Sequence, residues 1–280
     1  MRNQVMRWKN WELDFSLKTF VMGILNVTPD SFSDGGRYSE VEQAVAQAEK
    51  LVEDGADIID IGGESTRPGA AFVEAEEEQR RIVPVLEALR GRIDVPISVD
   101  TYKASTAEAA VKAGADIIND VWGAKADPDM ARVAAEYDVP IILMHNRDNT
   151  EYQDLMPDMI QDVYESIAVC EQAGVKADRI ILDPGIGFAK TYEQNLEAMR
   201  KMDQFTSLSY PVLLGSSRKS LISKTLELPA DDRVEGTGAT VSLGIERGCD
   251  IVRVHDVKEM TRVARMMDAM LGVRKEHSVG

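Results

Sequence analysis

Eight short apolar runs recur along this chain, separated by longer amphipathic stretches, and few folds accept that rhythm. The runs fall at 20–28 (FVMGILNVT), 58–65 (IIDIGGES), 96–101 (PISVDT), 117–121 (IINDV), 140–145 (PIILMH), 180–185 (IILDPG), 211–217 (PVLLGSS) and 250–256 (DIVRVHD). Each is rich in β-branched residues and apolar on both faces, as a strand of a parallel sheet covered on both sides must be. Helical periodicity fills most of the gaps, at 40–54, 74–90, 103–114, 128–137, 158–174, 191–204, 236–247 and 257–270. Several of these stretches end alike: Asp54-Gly-Ala-Asp57, Ala113-Gly-Ala-Asp116 and Arg247-Gly-Cys-Asp250. In each, a glycine can take the left-handed cap conformation before the chain turns into a strand.

Strands alternating with helices in this way predict an α/β protein, a single closed (β/α)8 TIM barrel covering 1–280. One barrel of this length forms one domain. An open doubly wound sheet is the alternative, but no Gly-x-Gly-x-x-Gly follows the first strand. The segment 8–19 is expected to form a small hairpin closing the bottom of the barrel. The polar tail 272–280, with His277, is expected to be disordered.

The charge balance narrows the partners. The net charge of −16 opposes nucleic acid and anionic membranes. Any anionic ligand must be held by a local cluster of positive groups, so each Arg and Lys position is informative. Lys9, Glu12, Asp14 and Lys18 interrupt the N-terminal segment, and nothing later reaches the ~18 apolar residues of a membrane span. Cys170 and Cys249 lack metal-ligand spacing and read as buried reduced thiols. A cytoplasmic protein is the expectation.

In such a barrel the active site lies at the C-terminal ends of the strands. Those ends read Asn26, Ser65-Thr66-Arg67-Pro68, Asp100-Thr101, Asn119-Asp120, Met144-His145, Asp183-Pro184, Ser216-Ser217-Arg218-Lys219, and Arg253 with His255. One polar strand end means little, and Asp120 and Asp256 fit ordinary loop anchors. Eight convergent ends are harder to dismiss, because buried charge without partners is costly. Arg67, Lys219, Arg253 and His255 offer donors to a phosphate or pyrophosphate. Asp100, Asn119 and Asp183 match the amino, N–H and carbonyl edges of a flat heterocycle. The loops 28–37 and 66–74 read as lids. The charge run Glu74–Arg81 reads as a solvated helix face.

At this point the residues resemble a known family. Met22-Gly-Ile-Leu-Asn-Val-Thr-Pro-Asp-Ser-Phe-Ser-Asp-Gly-Gly36 and Gly55-Ala-Asp-Ile-Ile-Asp-Ile-Gly-Gly-Glu-Ser-Thr-Arg-Pro68 are similar to two signatures of the dihydropteroate synthases. Ser98-Val-Asp-Thr101, Ile118-Asn-Asp120, Leu182-Asp-Pro-Gly-Ile-Gly-Phe188, Gly215-Ser-Ser-Arg-Lys-Ser220, Gly236-Thr-Gly-Ala239 and Arg253-Val-His-Asp256 follow in order, so the likeness spans about 20–270. It is to bacterial members, of Bacillus type.

The resemblance implies the rest. Asp100, Asn119, Asp183 and Lys219 would bind the pterin ring, with Gly215 in the same substrate-binding set. Arg253 would cover one pterin face and reach the pyrophosphate. Asn26 would help hold Mg2+. Thr66, Arg67 and His255 would contact the anion. Phe188, Pro68 and Lys219 would frame p-aminobenzoate, with Ser220 nearby, and Asp30 and Phe32 would close over the reacting centre. The catalytic set is then Asp30, Arg67, Asp100, Lys219, Arg253 and His255. Met144 packs beside the ring or fills the core, and His145 touches the pterin or serves structurally.

The implied reaction joins dihydropterin pyrophosphate to p-aminobenzoate by dissociative substitution, with Mg2+ assisting the leaving group. No Ser-His-Asp or Cys-His pair is evident at suitable positions, in keeping with a path that has no covalent enzyme intermediate. Sulfonamides as competing inhibitors and a homodimer built through outer helices complete the expectations. A pterin-binding methyltransferase and a non-catalytic paralogue are the rivals. The first needs neither the lid signatures nor the anion site, and the second would be expected to lose Asp30 or Arg67.

Overall fold

A computed structural model describes residues 5–28, 37–65, 71–229 and 231–272. Asp30, Phe32, Thr66, Arg67, Pro68 and the tail 273–280 with His277 therefore lie outside the described residues, as does most of the two loops expected to act as lids. The chain opens with an antiparallel hairpin, β1 (Val5–Trp8) and β2 (Trp11–Asp14). The barrel strands follow: β3 (Phe20–Asn26), β4 (Ile58–Gly62), β5 (Ile97–Asp100), β6 (Ile117–Asp120), β7 (Ile141–Met144), β8 (Ile180–Asp183), β9 (Leu213–Leu214) and β10 (Ile251–Val254). They form one parallel sheet ordered β8-β7-β6-β5-β4-β3-β10-β9. A parallel bridge between Leu182 and Val212, with the Leu182 N–H donating to the Pro211 carbonyl at 2.9 Å, joins the two ends of the sheet and closes the barrel.

The described helices are α1 (Arg37–Glu53), α2 (Ala75–Leu89), α3 (Ala104–Ala113), α4 (Met130–Glu136), α5 (Leu155–Gln172), α6 (Tyr192–Arg200), α7 (Met202–Thr206), α8 (Ser220–Leu226), α9 (Val234–Glu246) and α10 (Val257–Leu271). The helices differ from the sequence reading in several places. The helix expected at 158–174 starts at Leu155, because Pro157 falls in the first turn, where a missing N–H costs nothing. The stretch 191–204 breaks at Lys201 into α6 and α7, and α8 was not expected. The run Glu74–Arg81 is not uniformly solvated: Glu78 is fully buried and accepts from Lys103 Nζ at 2.9 Å.

The repeated Gly-x-Asp phrase has a double role. Gly55, Gly114 and Gly248 take φ values of +106°, +126° and +93°, which turn the chain out of each helix. The aspartates then accept N–H groups from the neighbouring strand or its lead-in: Asp57 from Val21 at 2.9 Å, Asp116 from Ile97 at 3.2 Å and Asp250 from Val212 at 2.7 Å. One phrase thus ends a helix and satisfies a buried amide at the base of the sheet.

That base is apolar and sealed. Met22, Ile58, Ile117, Ile142, Ile181, Leu213 and Ile251 meet Met6, Trp8, Leu13 and Phe15 in one buried cluster. Trp8 lies across the opening and donates its indole N–H to the Asp116 carbonyl at 3.0 Å. The hairpin closes the bottom as expected, but from residues 5–14 rather than 8–19. Among the described residues no helix is long and apolar enough to cross a membrane.

Candidate active site

Two residues further along the same strands the barrel interior changes character. Ile58 gives way to Asp60, Ile117 to Asn119, Ile142 to Met144, Ile181 to Asp183, Leu213 to Gly215 and Ile251 to Arg253. A period of two keeps each pair on one face of its strand, so an apolar layer is followed directly by a polar one. Parallel register sets Asp60 beside Ser98, Asp100 between Gly62 and Asn119, and Met144 beside Asp183.

Arg253 ties this layer together. Its Nε donates to Asp60 Oδ2 at 2.6 Å and its Nη2 to Asp100 Oδ2 at 2.7 Å. Asn119 Nδ2 donates to the same Asp60 oxygen at 3.1 Å. The other oxygens, Asp60 Oδ1 and Asp100 Oδ1, and Ser98 Oγ are buried with no hydrogen-bond partner among the described residues. Such groups are rare because each forfeits its hydration, so three together mark a place built to receive donors. Burial raises the Asp100 carboxyl, Arg253 pulls it back, and Asp60 raises it again. Burial works against the Arg253 charge, but Asp60 and Asp100 outweigh it and keep the guanidinium protonated.

Asp183 ends β8 with Oδ1 accepting the Gly185 N–H at 2.7 Å. Burial nevertheless pushes its carboxyl up to about 6, against the Gly185 hydrogen bond and the nearby Lys219 and Arg253 charges. Gly185 can be nothing else: its φ is +66°, and a Cβ would lie 2.1 Å from the His145 carbonyl oxygen. Beyond it, the Lys219 ammonium stands over the Phe188 ring at 4.2 Å from the centroid. Met144 is buried at the end of β7, while Ser220 is exposed at the first turn of α8 and Asn26 is exposed at the end of β3.

The sequence reading did not pair Ser217 with His255, but the structure does. Ser217 Oγ lies 2.9 Å from His255 Nδ1 and also accepts the His255 backbone N–H at 3.2 Å. Ser217 is buried, so this pair steers the imidazole rather than arming a nucleophile. Asp120 and Asp256 are the loop anchors expected of them. Asp120 accepts from the Trp122 and Ala124 N–H groups, and Asp256 receives a two-pronged contact from Arg218.

His145 points away from the mouth into a buried chain of side chains. Its Nε2 lies 3.0 Å from Asp162 Oδ2 and its Nδ1 3.0 Å from Lys190 Nζ. Burial lowers the imidazole to about 4, so it is neutral near pH 7. Burial likewise brings Lys190 down to about 7. Asp162 also accepts from Arg147, and the His145 and Arg147 contacts outweigh its burial and hold it well below the usual carboxylate range.

The structure thus brings Asp100, Asn119, Met144, Asp183, Gly215 and Arg253 into one layer, with Phe188, Lys219 and His255 on the loops around it. Reading strand ends missed Asp60 and Lys190, and it listed Ser217 without giving it a role. The signal for Asp60 was one carboxylate in the middle of the apolar run Ile58-Ile-Asp-Ile61. The layer can hold the donor edge of a flat heterocycle, with cationic groups ready for an anion on its open side.

Known proteins bear on this arrangement. Residues 22–255 match the family model described as "Pterin binding enzyme". The chain is 60% identical over 270 residues to the dihydropteroate synthase of Bacillus subtilis (strain 168), covering 96% of this chain and 95% of that one. It superposes on a Clostridium difficile dihydropteroate synthase solved with pteroic acid at a TM-score of 0.90, with 50% identity and coverage of 92% and 98%. The Xanthomonas albilineans enzyme with 4-aminobenzoic acid gives a TM-score of 0.90, 40% identity and coverage of 96% and 98%.

Proposed function

The chain belongs to the pterin-binding enzymes and, within them, to the dihydropteroate synthases, and we propose in detail how its barrel mouth performs that reaction. Dihydropterin pyrophosphate and p-aminobenzoate enter, and 7,8-dihydropteroate and pyrophosphate leave, as a step of folate biosynthesis. The observation that carries the detail is the set of buried acceptors, Asp60 Oδ1 and Asp100 Oδ1, in one layer with Asp183 and Asn119. A pterin brings ring N–H and amino donors to meet them, and charge-assisted hydrogen bonds of this kind are the strong ones.

The bond that breaks joins the pterin methylene to a pyrophosphate oxygen, and its electron pair leaves with pyrophosphate. The arylamine is a weak nucleophile, so easing departure of the leaving group is the larger task. Arg253 spends two of its five N–H donors on Asp60 and Asp100, so three remain for the anion without breaking either pair. His255, with Nδ1 facing Ser217, offers Nε2 to the same charge. Thr66 and Arg67 are assigned to the anion by resemblance. Asp100 and Asp183 beneath the ring lower the cost of positive charge on the methylene, with Asp30 assigned the same task from the first loop. Phe188 and Lys219 frame the arylamine and limit water, with Pro68 assigned there by resemblance, and a sulfonamide, which also presents an arylamine, would compete there.

Mg2+ belongs to this proposal. Asn26 offers one hard oxygen at the end of β3, and the described residues contain no group of three acidic, imidazole or thiol ligands. Asn26 would supply the ion's protein ligand. When bound, the ion would offset charge on the leaving group. A homodimer also belongs here, supported by the exposed Met266 and Met270 on α10. The test is pyrophosphate release with and without p-aminobenzoate, with the pterin product identified by mass. Equal amounts of pyrophosphate and dihydropteroate, both lost when Mg2+ is removed, support the reading. Tight pterin binding without turnover contradicts it.

A further inference from the structure

The loop between β8 and α6 carries Phe188, and a single buried ammonium organises it. Lys190 is 9% exposed. In the ammonium form its Nζ has three hydrogens for three acceptors: His145 Nδ1 at 3.0 Å, the Gly185 carbonyl at 3.0 Å and the Phe188 carbonyl at 3.1 Å. Because His145 Nδ1 accepts, Nε2 carries the ring hydrogen and donates to Asp162, 3.0 Å away. Asp162 lies on α5 and is held by Arg147 as well, so the ammonium ties the loop to the helix layer. Asn195 on α6 accepts the Gly187 N–H at 2.6 Å, and Tyr152 donates to the Ala189 carbonyl at 2.8 Å. Gly185, Gly187, Phe188, Ala189 and Lys190 are thus each tied down, and the Phe188 ring faces Lys219 at 4.2 Å.

The ring-binding carboxylate depends on this loop for one contact only, the Gly185 N–H. Asp183 is fixed by β8 itself: its carbonyl accepts the His145 N–H at 2.8 Å, and β8 is paired along its length with β7. The pterin position therefore rests chiefly on strand β8, with one hydrogen bond from the loop at Gly185, whereas the arylamine position rests on the lysine-braced loop alone.

We propose that Lys190 is a positioning residue for the arylamine substrate, holding the Phe188 carbonyl so that the ring keeps its place against Lys219. This rests on the synthase reading above. Lys190 touches no reacting atom. Removing its ammonium leaves two loop carbonyls and His145 Nδ1 without their donor, and Phe188 loses its fixed place. An arginine would not replace it, because a planar fork cannot serve three acceptors grouped around one point.

The test is steady-state kinetics of the full-length wild type, Lys190→Met, Phe188→Leu and the double variant with dihydropterin pyrophosphate, Mg2+ and p-aminobenzoate. Lys190→Met should raise KM for p-aminobenzoate about tenfold, with KM for the pterin substrate held within about threefold. Phe188→Leu should give the same split, and the double variant should be no worse than the single ones, because both changes act on one ring. A pterin KM that rises in step with the p-aminobenzoate KM overturns the proposal, as do additive effects. Phe188→Leu leaves the buried network untouched, so it can overturn the proposal even if Lys190→Met fails to fold. An unchanged p-aminobenzoate KM in that variant leaves Lys190 nothing to position. A wild type that binds pterin but forms no dihydropteroate would count against the synthase reading instead.

Discussion

The bottom and the mouth of this barrel are built from the same strands, two residues apart, and they follow opposite rules. At the bottom, Ile58, Ile117, Ile181 and Ile251 pack against Trp8 and Met6, and the polar atoms in view are satisfied by Asp57, Asp116 and Asp250. At the mouth, Asp60, Asn119, Asp183 and Arg253 replace them, and Asp60 Oδ1, Asp100 Oδ1 and Ser98 Oγ have no partner among the described residues. The bottom resembles any well-made core. The mouth holds ionised groups that burial works against, and it would be more stable with fewer of them. The difference teaches where this chain separates stability from chemistry: one layer of side chains, not one domain.

The largest effect should come from breaking the mouth. Arg253→Ala leaves Asp60 and Asp100 facing each other without a cation, and should lower kcat/KM by about a hundredfold to a thousandfold. The same change should lower unfolding stability by about 3–5 kcal/mol, read by chemical denaturation. A variant of normal activity and stability would break the comparison. Trp8→Ala probes the other end. It should cost about 3–5 kcal/mol of stability by opening a cavity under the barrel, while kcat/KM of the folded enzyme stays within about twofold, since Trp8 lies across the bottom and touches no mouth residue. Loss of activity without loss of stability would show that the ends are not separable.

A smaller effect concerns pH. Asp183 has its folded-state pKa raised to about 6, so it contributes stability that is fully present below its unfolded pKa and is lost as pH rises through about 6. Asp120, also raised to about 6 by burial, acts in the same direction. Pterin affinity should run the opposite way, falling as pH drops below about 6 and Asp183 takes up a proton. Titrations of pterin binding between pH 5 and 8, paired with thermal melts, check both signs. Affinity that is flat across this range would remove Asp183 from the recognition of the ring.

Much of this architecture could be read from the chain alone, because the parts that are local or periodic leave marks. The β-branched runs located every barrel strand, and Gly55, Gly114 and Gly248 marked their helix ends. Asp100, Asn119, Asp183 and Arg253 were visible because they end strands, and a barrel puts strand ends together. Asp60 was not, since it lies within a strand and only its partner 193 residues away explains it. Lys190 was hidden for a similar reason, its acceptor His145 being 45 residues distant. The burial of Glu78 was equally unreadable, because a helix face of alternating charges looks solvated until Lys103 is placed beside it.

The central claim is that the mouth gives up stability in order to recognise the pterin. Asp183→Asn tests it most directly, because the amide can keep the hydrogen bond from the Gly185 N–H while the charge is removed. Unfolding free energy and pterin affinity would be measured on the same protein at pH 7.5. The account predicts that stability rises, by up to about 2–3 kcal/mol from relief of the raised pKa, while pterin affinity falls by about tenfold to a hundredfold. Stability and affinity falling together would contradict it, for Asp183 would then be a structural residue of the barrel.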